Sequence, residues 1–331
     1  MIQLRRQQAP VFREEHRNCR VKIHHFENFD DSAVDYRSRE PFGYTGRKVT
    51  LGLLGGVVTH PVVYALQLKE FADTYPIITM DGRGFWGSYG SSKPNTYLQD
   101  FRGDFLTVLD REHVEKMVLV GHSMSGAITL MCYLADPSRF AGLVLVAPAY
   151  RDPRKLTPFL RNHKVLRDNV EPFSAFVGNQ SRINGILGKL LLKTQFTLAG
   201  TEKALIDTLF SNPGSFKHFH KLVKNIYRAD MRAVDMALRA LFNLDNYLLE
   251  RAHEIKVPVL IITGDQDPLI PPESVIPLHE ALPESTMLVF DQGTRHFPML
   301  TAPNRFNSAL RRFLERINSA QGSDQAPIQK R

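Results

Sequence analysis

The sequence predicts an α/β protein: a mostly parallel, twisted sheet with helices on both faces and a long helical insertion. Three observations carry this. Apolar, β-branched runs alternate with helical patterns, the rhythm of repeated βα units. That rhythm stops near Arg151 and resumes after His253, leaving only helical patterns in between. The balance of 43% hydrophobic and 23% charged residues in a chain of 331 suits a packed core and not a disordered chain.

Taken in order, Arg20–Phe26 alternates and opens the sheet as an edge strand. Lys48–Leu54 is the first buried strand and ends at Gly55-Gly56. Val62–Tyr75 reads as a helix and Pro76–Met80 as a strand. Asn95 caps a helix running to about Leu109. Lys116–Val120 is the next strand, followed by a helix from Met124 to about Ala135, and Gly142–Ala147 is a strand ending at Pro148. The segment 151–255, with eight phenylalanines from Phe159 to Phe242, reads as an inserted helical lid over a ligand site. Strands return at Val257–Thr263 and Ser285–Phe290. The last helix carries Phe306, Leu310, Phe313 and Leu314 at helical spacing. The polar tail 319–331 is expected to fray. The expected division is a discontinuous core of 1–150 and 256–318, the lid, and the tail.

Composition removes several function classes. No apolar run approaches the ~18 residues that span a bilayer. The basic N-terminus has no apolar stretch behind it and does not read as a secretory signal. Cys19 and Cys132 are too few for a disulfide framework or a zinc site. These absences make the cytoplasm the default location. A net charge of +8 invites a nucleic-acid reading, but the basic residues are scattered, with no basic run or aromatic-interleaved basic motif. Within 151–255 there are 17 Lys and Arg against 10 Asp and Glu. That excess reads either as a hint of an anionic substrate or as a solvated basic face.

The strongest chemical signal is Gly121-His-Ser-Met-Ser-Gly126, set between an apolar strand and a helix. A serine on so tight a strand-to-helix turn projects its hydroxyl above the sheet, and its neighbours two positions away must be small. Gly121 and Ser125 meet that need. The turn also aims the Met124 N–H and the positive end of the helix at one place, where an oxyanion would form.

With these residues the chain resembles the α/β-hydrolase superfamily, in its lid-bearing branch of serine esterases and C–C hydrolases. The resemblance covers roughly residues 20–150 and 256–316. It implies an acid after a strand ending in Gly-x-x-Asp, which in Val257-Pro-Val-Leu-Ile-Ile-Thr-Gly-Asp-Gln-Asp-Pro268 selects Asp267, with Asp265 as the alternative. It implies a histidine in a Gly-x-x-His-Phe pattern, met by His296 in Asp291-Gln-Gly-Thr-Arg-His-Phe-Pro298. The family carries His-Gly where this chain has Gly55-Gly56. Alignment makes the Val57 N–H the second oxyanion donor beside Met124, with Gly56 as the alternative. Asp81-Gly-Arg-Gly-Phe-Trp-Gly-Ser88 resembles another family segment with one residue inserted, and Asp81, Arg83 and Gly84 read as scaffold. His122, His60 and Trp86 are candidates for lining the substrate pocket, each with a packing role as the plainer reading.

The implied chemistry is acyl transfer. His296 takes the Ser123 proton, Ser123 forms an acyl-enzyme, and Asp267 orients the imidazole. No metal or organic cofactor is called for. The expected partner is a small, partly apolar acyl substrate, with oligomeric state left open. Cleavage of a C–C bond or acyl transfer by the same groups is the nearest alternative, and a non-catalytic ligand sensor of the same fold is the more distant one.

Overall fold

The structure is a computed structural model and describes residues 18–46, 48–57, 59, 61–90, 96–156 and 230–324. In chain order the strands are β1 (Cys19–Glu27), β2 (Ala33–Pro41), β3 (Thr50–Leu54), β4 (Ile77–Met80), β5 (Met117–His122), β6 (Phe140–Val146), β7 (Val259–Gly264) and β8 (Ser285–Phe290). The helices are α1 (Ala65–Phe71), α2 (Tyr97–Arg111), α3 (Ser125–Ala135), α4 (Pro153–Leu156), α5 (Met231–Phe242), α6 (Tyr247–Glu250), α7 (Pro272–Ala281), α8 (Pro298–Thr301) and α9 (Pro303–Asp324).

All eight strands form one sheet in the order β1-β2-β4-β3-β5-β6-β7-β8. The β1–β2 hairpin is antiparallel and joins β4 antiparallel, while every other pairing is parallel. Parallel strands are covered on both faces, and the sequence supplies apolar residues for both. On β5, Met117 and Leu119 pack with Phe105 of α2 and Ile128 of α3. Val118 and Val120 point the other way, toward Leu68 and Phe71 of α1 and Phe306 and Leu310 of α9.

Several elements differ from expectation for identifiable reasons. β2 was not anticipated, because Asp35, Arg37 and Arg39 break up its apolar pattern. Arg39 is nevertheless buried, and its Nη1 donates to Thr79 Oγ1 at 3.2 Å. The expected helix 62–75 is a 3₁₀ turn (Pro61–Tyr64) followed by α1, which stops at Phe71. Pro76 disfavours helical backbone at Tyr75. The helix α2 has Thr96 at its N-cap position, and Asn95 lies outside the described residues. The helix α7 was missed, its pattern broken by Pro277. The expected frayed tail begins too early, since α9 continues to Asp324. Asn318 helps hold it there: Nδ2 donates to Leu314 O, and Oδ1 accepts from the Val49 N–H at 3.1 Å.

Of the expected insertion, residues 157–229 lie outside the described residues. Its described part packs α5, through Ala233, Val234, Ala237 and Leu241, into the same core cluster as α2 and α3. Among the described residues no helix is long and apolar enough to cross a membrane.

Candidate active site

The turn between β5 and α3 is two residues long. Ser123 takes a left-handed backbone, φ 54°, which for a residue with a side chain stores on the order of 1–3 kcal/mol. Three main-chain bonds hold it. The Ser123 N–H donates to Val146 O at 2.9 Å, while Ser123 O accepts from Gly126 N at 2.8 Å and Ala149 N at 3.0 Å. Glycine is obligatory at 121, since a Cβ there would lie 2.2 Å from both Ser125 O and Thr129 Oγ1. Ser125 is fully buried, and its hydroxyl donates to Gly55 O.

Asp267 sits in the loop after β7. Its Oδ1 accepts from the Leu269 and Ile270 N–H groups at 2.9 and 3.0 Å, and its Oδ2 lies 2.7 Å from His296 Nδ1. Both side chains are almost fully buried. This contact places the His296 proton on Nδ1 and leaves the Nε2 lone pair available as a base. Asp265 turns instead toward the Gly293 N–H, at 3.3 Å.

His296 lies between β8 and α8, and its main-chain oxygen accepts from His122 Nε2 at 2.9 Å. The two imidazoles are 4.8 Å apart, and the Phe297 ring packs against both, 4.7 Å from His122 and 5.4 Å from His296. His122 is buried, 1% exposed. Burial, and then the neighbouring His296, push its imidazole well below the usual histidine range. Among the described residues its Nδ1 has no hydrogen-bond partner, while His296 Nδ1 has a carboxylate. Among the described residues the Ser123 hydroxyl makes no hydrogen bond.

The loop after β3 faces the turn. Leu54 O accepts from the Tyr64 hydroxyl at 3.1 Å, and Gly56 O accepts from Thr59 N and Oγ1 at 3.2 and 2.9 Å. A Cβ on Gly56 would come within 2.9 Å of Ser123 Cβ. The N–H groups of Gly56, Val57 and Met124 donate to no protein acceptor among the described residues. Trp86 is half-buried, with φ 50°, and packs against Phe85 at 5.6 Å. His60 lies outside the described residues.

The segment after β4 is braced by charge. Arg83 binds Asp104 with two nitrogens, at 2.7 and 2.8 Å, and Asp30 with a third at 2.6 Å. Burial pushes the Asp81 carboxyl up to about 6, against the opposing pull of Arg37 at 3.4 Å. The sequence had no signal for Asp104 or Asp30, which lie 21 and 53 residues away from Arg83. It also missed the hydroxyls of Thr59 and Tyr64. Among the described residues no group of three or more His, Cys, Asp or Glu could hold a metal ion.

This sheet order, with a strained serine after β5, an aspartate after β7 and a histidine after β8, defines the α/β-hydrolase class. Residues 47–300 match the serine aminopeptidase S33 family, and the chain belongs to it. It is 26% identical over 267 residues to a protein of Agrobacterium fabrum assigned as the carbamate hydrolase RutD, covering 80% of this chain and 92% of that one. It is 26% identical to the pimeloyl-[acyl-carrier protein] methyl ester esterase of Aliivibrio fischeri, with 81% and 95% covered. A solved hydrolase from Pseudomonas aeruginosa superposes with a TM-score of 0.70 at 17% identity, over 88% of this chain and 98% of that one. The protein is thus a hydrolase of the serine α/β type.

Proposed function

We propose that the protein cleaves a carboxylic ester or related acyl bond of a small, partly apolar substrate through an acyl-enzyme on Ser123. The observation that carries this is the buried His296, tied at Nδ1 to Asp267 and packed at a tilt against the residue preceding the serine. His296 Nε2 removes the Ser123 hydroxyl proton as Oγ attacks the carbonyl carbon. The carbonyl oxygen becomes an oxyanion facing the Met124 N–H and that of Val57 or Gly56. The leaving group departs with the proton from His296. Water, deprotonated by the same nitrogen, then releases the acid and restores Ser123. Asp267 holds the tautomer and stabilises the imidazolium.

The ester- and carbamate-cleaving relatives support an acyl substrate. We assign 151–255 the role of a cap over the carboxyl ends of the strands. In support, its described part attaches there: the Asp230 N–H donates to Gly84 O just beyond β4, at 2.8 Å.

The test is labelling by a fluorophosphonate probe, read by intact mass. Wild type should gain one adduct, while Ser123→Ala and His296→Ala should gain none under the same conditions. A folded wild type that stays unlabelled would sink this reading in favour of a ligand sensor. Labelled wild type then justifies a screen over esters, carbamates, lactones and diketones.

A further inference from the structure

Besides the residue inserted in Asp81–Ser88, the chain departs from the pattern of the family it resembles at Gly55, in place of His, and at Ser125, where the strict Gly-x-Ser-x-Gly turn has Gly. The fold brings the two departures into contact, since the Ser125 hydroxyl donates to Gly55 O. It is one of three such bonds. The consecutive carbonyls of Leu54, Gly55 and Gly56 each accept from a side-chain hydroxyl, of Tyr64, Ser125 and Thr59 respectively. A trans peptide is planar, so its C=O and N–H point in opposite directions and cannot turn independently. A bond that pins the Gly55 carbonyl pins the Gly56 N–H, and one that pins the Gly56 carbonyl pins the Val57 N–H. Those two N–H groups donate to no acceptor among the described residues, and a Cβ on Gly56 would lie 2.9 Å from Ser123 Cβ.

We propose that Ser125 and Thr59 are positioning residues for the oxyanion hole, Ser125 aiming the Gly56 N–H and Thr59 aiming the Val57 N–H. The inference rests on the hydrolase reading for its chemistry. The hydroxyls touch no substrate. They hold two amides in place before the oxyanion forms, so their contribution falls on the transition state and not on substrate affinity. Tyr64 anchors the stem of the same loop where it leaves β3. Ser125 thereby supplies from the helix side a restraint on the loop of a chain that has glycine at 55.

The test compares wild type with Ser125→Ala and Thr59→Val, both small changes in volume. Three quantities are read: the fluorophosphonate labelling rate, kcat and KM on a short-chain p-nitrophenyl ester, and Kd for phenylboronic acid, which forms a tetrahedral adduct on serine. Each variant should lose on the order of 10- to 100-fold in labelling rate and kcat, with KM within about threefold. Boronate affinity should fall in parallel. Variants within twofold of wild type, or a loss confined to KM or to thermal stability, would overturn the proposal. A loss in only one variant would overturn the assignment of the other amide. If folded wild type itself takes no probe, the hydrolase reading falls separately. The ¹⁵N–¹H resonances of Gly56 and Val57 then decide. Each should move in its own variant if the hydroxyls set the peptide planes, and unmoved resonances would overturn the proposal.

Discussion

At the scale of single residues, the molecule holds strain and unfavourable charge close to its site. Ser123 at φ 54° would be relaxed by glycine, which visits that backbone freely. Ser123→Gly should therefore raise thermal stability by about 1 kcal/mol over Ser123→Ala, which keeps the Cβ. Calorimetry on the two variants measures the difference. Asp81 carries a different cost. Its carboxyl titrates near 6 in the folded protein, above its ordinary 3.8, so the folded state binds the extra proton between those values. Its stabilising contribution is complete below about pH 4 and is lost as pH rises through about 6. Relative to Asp81→Asn, which does not titrate, wild type should lose about 2–3 kcal/mol between pH 4 and pH 7. Urea unfolding at the two pH values tests this, and parallel curves would refute it. What the sequence could disclose at this scale follows from sterics. Gly121 and Ser125 were legible because only small residues fit there, whereas Asp267, which meets His296, was legible through the Gly-x-x-Asp pattern of the family the chain resembles. The bonds from Ser125, Thr59 and Tyr64 to a distant loop were not legible, because a carbonyl partner is chosen by tertiary packing and leaves no local pattern.

At the scale of elements, legibility tracked pattern. β1 was found because its residues alternate, and β3 to β8 because apolar residues run through them. β2 escaped because its Arg39 is buried and polar, so composition contradicts position. β1, at the sheet edge, exposes Val21 and Ile23 on one face. Interleaved Arg20 and Lys22 are the kind of charge that discourages an edge from pairing with a second chain. The helix α9 seals the opposite face of the sheet from α2 and α3, with Phe306, Leu310 and Leu314 fully buried. Leu310→Ala should cost roughly 2–5 kcal/mol by leaving a cavity between α9 and the strands. A shift of the urea midpoint corresponding to less than about 1 kcal/mol would mean that α9 docks more loosely than its burial implies.

At the scale of the whole molecule, early and late parts of the chain interlock. Gln67 of α1 donates to Met299 O and to Asn307 Oδ1, and Val49 at the head of β3 donates to Asn318. Ending the chain after Thr301 should therefore abolish cooperative unfolding of the entire sheet and not merely shorten a tail. Far-ultraviolet circular dichroism during thermal melting is the check, and a retained sharp transition would count against it.

The same interlocking sets an order in time. Ser123 and its sheet neighbours β3 to β6 are made first, whereas His296 lies 174 residues beyond His122, after β7 and β8. At about 5–20 residues per second a ribosome needs about 10 to 35 s to cover that distance. On the proposed mechanism, the growing chain through that interval holds a serine whose base does not yet exist, so a half-made or prematurely terminated product is chemically silent toward acyl compounds.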